Sequence, residues 1–138
     1  MTMHFEFERI TVTWDAPSRS AMVVFHGYVE GEVLRAALDK VLELLTKNGS
    51  SRLISDTREM KAMTQDDQRW IDEDWRPRAR AAGLRLNAVL LPASAIAKLS
   101  VVAVVKKVPP EATQFAYFSE LDQARAWLTA ASSADVVR

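Results

Sequence analysis

Thr64 stands three residues ahead of Asp67 in the stretch Thr64-Gln65-Asp66-Asp67, and a hydroxyl so placed has two chemistries open to it. It can accept an orphan backbone N–H and cap a helix, or it can take a phosphate where free N–H groups and the helix dipole favour an anion. Asp66 and Asp67 favour the cap, since they suit the positive helix end and would repel a group of about −2 charge. A Ser or Thr cap is worth about 1 kcal/mol, which is reason enough for the residue. Further on, Trp70, Trp75, Arg76 and Arg78, followed by Arg80 and Arg85, set guanidinium groups beside indoles. Guanidinium forks hold carboxylates or phosphates, so an anion or partner site is one reading and a solvated helical face the other. Trp75, beside Arg76 and Pro77, is assigned to the wall of an apolar pocket or to a dimer contact, whereas Trp70 and Trp127 suit a core. The candidate ligand or partner site is therefore Trp75, Arg76, Arg78 and Trp70.

Other chemistry finds little support. Asp72 with Arg76 and Asp74 with Arg78 have i, i+4 spacing, which reads as surface ion pairs rather than acid–base or metal chemistry. His4 and His26 are the only histidines and neither stands in a metal or triad motif; no Walker loop, GxGxxG, GxSxG or HExxH occurs. Cysteine is absent, which removes disulfides, thiolate metal sites and a Cys nucleophile. No catalytic residue, metal or cofactor is expected. With 18 Lys plus Arg against 18 Asp plus Glu there is no overall pull toward nucleic acid. No run approaches the roughly 20 apolar residues of a membrane span, so no membrane insertion is expected, and a cytoplasmic protein is the default.

The 138 residues suit one domain, and no repeat, low-complexity tract or linker divides residues 1–138. "FEFERITVTW" and "AMVVFHGYV", separated by the turn-prone "DAPSRS", predict a β-hairpin. Leu34, Leu38, Val41 and Leu45 recur at helical spacing from Glu32 to Lys47, and Asn48-Gly49 supplies a left-handed stop. Arg52 to Asp56 predicts a short interior strand. A second helix starts at Thr64 and carries Trp70, Ile71 and Trp75 inward; Pro77 predicts a kink or break near Arg76, and Gly83 ends what continues. Leu86 to Leu91 reads as a buried strand. Residues 94–110, "SAIAKLSVVAVVKKVPP", are read as a helix closed by Pro109 and Pro110, although Val101, Val102, Val104 and Val105 also suit a strand. "TQFAYFS" gives the last strand, and Ser119 with Asp122 caps a final helix bearing Leu121, Ala124, Trp127 and Leu128, with a fraying tail "ASSADVVR". The order β-β-α-β-α-β-α-β-α predicts an α/β fold whose mixed sheet opens on an antiparallel hairpin and continues through parallel crossovers.

That order, with "SDTREM", "TQDDQRWIDEDWRPRARAAG", "AIAKLSV" and "FSELDQARAWL" in sequence, resembles the SpoIIAA-like or STAS-like family, in particular the small bacterial branch of the STAS and CRAL-TRIO superfamily. The resemblance runs over nearly the whole chain and implies the same mixed sheet covered by helices. In signalling members a strand ending in Asp leads to a phosphorylated Ser at the next helix start, typically followed by Gly. Laid on that pattern from Asp56, this chain offers Asp66 near the acceptor position and Asp67 in place of the Gly, so the resemblance transfers no phosphoacceptor.

The expectation is a non-catalytic binding or regulatory module, acting on a protein partner or through self-association as a homodimer. The alternative is a small carrier of an apolar or lipid-like ligand, with the apolar segment "SVVAVVKKV" as lining. An enzyme with an unrecognised site is the third reading.

Overall fold

The computed structural model describes residues 4–96 and 113–136, with side chains to residue 130. Six strands, β1 (His4–Phe7), β2 (Ile10–Asp15), β3 (Ser20–Gly27), β4 (Arg52–Met60), β5 (Leu86–Leu90) and β6 (Gln114–Phe118), form one sheet in the order β1-β2-β3-β4-β5-β6. The β1–β2 and β2–β3 pairs are antiparallel and the remaining three are parallel. The protein is thus α/β with a mixed sheet, antiparallel at its start and parallel afterwards.

The N-terminal hairpin is in fact a three-stranded meander. The apolar residues of "FEFERITVTW" step by two except from Phe7 to Ile10, and that step is the turn: Phe7 pairs directly with Ile10 while Arg9 takes φ 64°. Strand β4 also runs past Asp56 to Met60, because β3 keeps pairing with it beyond a register shift, His26 to Glu59 and Gly27 to Met60.

Helix α1 (Gly31–Asn48) presents Leu34, Ala37, Leu38, Val41, Leu44 and Leu45 to the sheet. It stops at Gly49, φ 58°, where the Ser50 N–H returns to the Leu45 carbonyl at 2.9 Å, the left-handed closure expected of Asn-Gly. Helix α2 (Gln65–Trp70), a π-helical turn (Ile71–Trp75) and α3 (Arg76–Ala81) run on without interruption, so Pro77 breaks nothing. Pro77 has no N–H for the Glu73 carbonyl, and in a regular helix its ring would strike that carbonyl. The preceding turn widens instead, with the Arg76 N–H donating to the Ile71 carbonyl, and the backbone at Trp70, Ile71, Trp75 and Arg76 stays right-handed helical.

Helix α4 (Leu121–Val136) lies on the opposite face of the sheet, where Ala124 and Leu128 pack with Ile54, Leu86, Ala88 and Leu90. Its start differs from the expected Ser119 cap: Glu120 precedes the first helical residue, and its N–H donates to Gln123 Oε1 at 3.2 Å. Its backbone remains helical to Val136, where fraying was expected. Residues 93–96 are helical, and the rest of the helix expected over 94–110 lies outside the described residues. Among the described residues no helix is long and apolar enough to cross a membrane.

Candidate functional site

Strand alternation puts Val23 and Phe25 of β3, Leu53, Ser55 and Thr57 of β4, Asn87 and Val89 of β5, and Phe115 and Tyr117 of β6 on the face that also carries α1. Between these side chains and the α2–π–α3 segment lies a cavity of about 490 Å³. That size is within the roughly 300–1,000 Å³ of small-molecule sites. The helical segment runs back along the sheet from the end of β4 to the start of β5, and so fixes the two ends of the cavity. Met60 and Met63 stand where β4 ends; Arg80, Leu84, Asn87 and Thr113 stand where β5 and β6 begin.

Trp75 forms part of the wall. It is buried, and its indole N–H donates to the Leu38 carbonyl of α1 at 2.8 Å, which ties the π-helical turn to α1 and aims the ring inward. Arg76 also lines the cavity: its guanidinium lies 5.5 Å from the Phe115 ring centre and pairs with Asp72 at 3.0 Å. Arg78 and Trp70, the other two residues of the expected site, lie elsewhere. Arg78 pairs with Asp39 at 3.0 Å and Asp74 at 2.8 Å, and shares the Trp70 ring with Arg35. That cluster clasps α3 to α1. The four expected residues therefore divide, two at the cavity and two at a helix contact.

Polar groups interrupt the apolar floor. Asn87 is 7 % exposed, and its Oδ1 accepts the Ser55 hydroxyl at 2.9 Å. Among the described residues every fully enclosed side-chain nitrogen and oxygen is hydrogen-bonded, and the Asn87 Nδ2, which has no protein partner, is open to the cavity. Thr57 and Thr113 spend their hydroxyls on the Leu90 and Leu84 carbonyls, at 2.8 and 3.2 Å. Arg80 lines the cavity from an exposed position and has no ion pair among the described residues.

Two other polar clusters are structural. Thr64 Oγ1 accepts the Asp67 N–H at 3.1 Å, which is the expected cap. The Asp67 carboxylate, 2 % exposed, turns to the first turn of α1 and accepts the Gly31 N–H through both oxygens, at 3.3 and 3.1 Å. On the other face Asp15 is buried between the Ser18 hydroxyl and Arg125, whose Nη2 is 2.7 Å away. Burial alone would raise the Asp15 pKa, but the hydrogen bonds from Arg125 and Ser18 outweigh it and hold the carboxyl below its ordinary range. Among the described residues no three His, Asp or Glu side chains gather as a metal site.

Ser55, Asn87, Val89 and Phe115 were not foreseen as lining. Their separation in sequence leaves only strand alternation as a signal, together with the polar Asn87 inside the apolar run "LNAVLLP". No protein-family model matches the chain, and no curated protein matches it.

Proposed function

We propose that this protein binds a small, largely apolar molecule in the cavity between the β3–β6 face and the α2–π–α3 segment. The observation that carries this reading is the cavity itself: about 490 Å³, walled by Phe25, Ile71, Trp75 and Phe115, with the Asn87 amide N–H open to it and without a partner among the described residues. A concave apolar volume with a few convergent polar groups is the usual form of a small-molecule site. The carrier reading of the sequence thereby gains over the partner-binding module. The mixed sheet and the placement of its helices support the SpoIIAA-like reading of the chain, within which such a carrier is at home.

The polar groups at the cavity suit the binding of a ligand. Arg76 and Arg80 bring guanidinium groups to the cavity, which attract anions. The Ser55 hydroxyl donates to an amide oxygen, not to a base that could activate it.

Native mass spectrometry of the purified protein tests the reading. A bound small molecule is expected, and Val89→Trp, which places an indole in the cavity, is expected to release it while the far-ultraviolet spectrum is kept. A ligand retained in full by Val89→Trp would place the binding elsewhere, and a ligand-free homodimer would favour self-association.

A further inference from the structure

From the polar groups at one end of the cavity we infer that the ligand is a carboxylate-bearing apolar molecule, seated with its carboxylate toward Asn87 and Arg80 and its apolar body toward Met60 and Met63. The inference rests on the cavity reading above and specifies the chemistry of what fills it.

Asn87 is the central observation. It sits in the second position of a parallel strand buried on both faces, where an apolar side chain would pack without loss, and it is more than nine-tenths buried. Ser55 satisfies its Oδ1, and among the described residues no group accepts from its Nδ2, which is open to the cavity. A ligand that displaced water from such an N–H without supplying an acceptor would bind at a cost, so the group calls for an acceptor. With the opposite amide orientation Nδ2 would donate to Ser55 and Oδ1 would face the cavity, which calls for a donor; the cations nearby decide between the two. Arg80 lines the same end without an ion pair among the described residues, and Arg76 reaches over Phe115 toward it. The acceptor sought by Asn87 thus carries negative charge.

The opposite end carries no cation among the cavity's lining residues: the Thr57 hydroxyl there is spent on the Leu90 carbonyl, and the Tyr117 hydroxyl belongs to a half-exposed ring at the rim. Met60, Met63, Ile71 and Phe25 make up the rest of that end with carbon and thioether. A ligand anionic at one end and apolar along its length matches both ends, whereas a free inorganic anion or a uniformly apolar hydrocarbon matches only one; a single amide N–H beside the Arg80 guanidinium suits the single charge of a carboxylate.

Calorimetric titration of the full chain with decanoate and with decan-1-ol tests this, beside the variants Arg80→Gln and Asn87→Leu. Arg80 is exposed, so Arg80→Gln keeps the fold even if Asn87→Leu does not. Decanoate is expected to bind at least about tenfold more tightly than decanol, as a charge-assisted hydrogen bond to a buried donor requires. Arg80→Gln is expected to erase most of that preference, weakening decanoate far more than decanol. Equal binding of the two probes by the unaltered protein would overturn the carboxylate inference and leave the cavity reading standing. Binding of neither would overturn both.

Discussion

Removal of the Thr64 hydroxyl deprives the Asp67 N–H of its acceptor, so Thr64→Ala is expected to lower unfolding free energy by about 1 kcal/mol in urea titrations, with Thr64→Ser restoring it. Asp67 does more than its neighbour. Its carboxylate accepts the Gly31 N–H, so one side chain joins the start of α2 to the start of α1. Asp67→Ala is expected to cost about 1–3 kcal/mol by leaving that N–H unpaired, and Asp67→Asn to recover part of it. A phosphate on Thr64 would stand beside the Asp67 carboxylate and lose the cap, so both charge and hydrogen bonding oppose it. A pH effect belongs to Asp15, whose carboxyl is held low by Arg125 and Ser18 despite its burial. Because its folded pKa lies below the unfolded value of about 3.9, its contribution is complete above that value and vanishes as pH falls through the folded pKa. Stability measured from pH 6 downward should therefore fall less steeply in Asp15→Asn than in the unaltered chain; identical slopes below pH 4 would remove Asp15 from the acid-sensitive groups.

The elements differ in how plainly the sequence announced them. Helix α1 and its glycine stop follow from four apolar residues at helical spacing and an Asn-Gly pair, signals contained within one segment. The β1–β2 turn was present as a single step of three in a run of twos, but Glu8 and Arg9 are not turn formers, and period alone merged two strands. Pro77 gave a correct warning with a different outcome, because a helix can relieve a missing N–H by widening a turn as well as by breaking. Trp75 was read as a pocket wall or dimer contact from its place beside that proline, and Arg76 as part of an anion or partner site; both line the cavity. The rest of the cavity was not, since Ser55, Asn87 and Phe115 meet only through strand register. The widened turn is held on its inner side by Trp75, and two substitutions separate the indole's bulk from its N–H. Trp75→Ala is expected to cost about 3–5 kcal/mol, as large aromatic truncations in cores do. Trp75→Phe keeps most of the ring and loses the bond to Leu38, which the helix can still satisfy from within, so a loss of about 1 kcal/mol is expected by chemical denaturation.

At the scale of the whole molecule the two sheet faces are built differently. The α4 face closes over Ile54, Leu86, Ala88 and Leu90 with Ala124 and Leu128, while the opposite face is tightly packed under α1 and leaves a cavity over β4 to β6. A stability optimum would fill that volume and would not set a half-buried Ser55 and a buried Asn87 in a central sheet. Functional sites commonly persist at such a thermodynamic cost, and relieving it commonly raises stability while removing activity. Replacing both members of a buried polar pair by apolar groups of similar shape is near neutral or stabilising, whereas replacing one leaves the other unpaired. The double variant Ser55→Ala/Asn87→Leu is accordingly expected to unfold at a higher temperature than the unaltered protein when both are ligand-free, by an amount equivalent to about 0.5–2 kcal/mol. Asn87→Leu alone, which strands the Ser55 hydroxyl, should gain less. With decanoate present the order is expected to reverse, because only the unaltered chain gains the stabilisation that binding to the native state confers. Thermal unfolding of three proteins with and without decanoate reads both effects at once. A double variant that melts below the unaltered chain without ligand would mean that the Ser55–Asn87 pair supports the sheet, and that its place beside the cavity is incidental to binding.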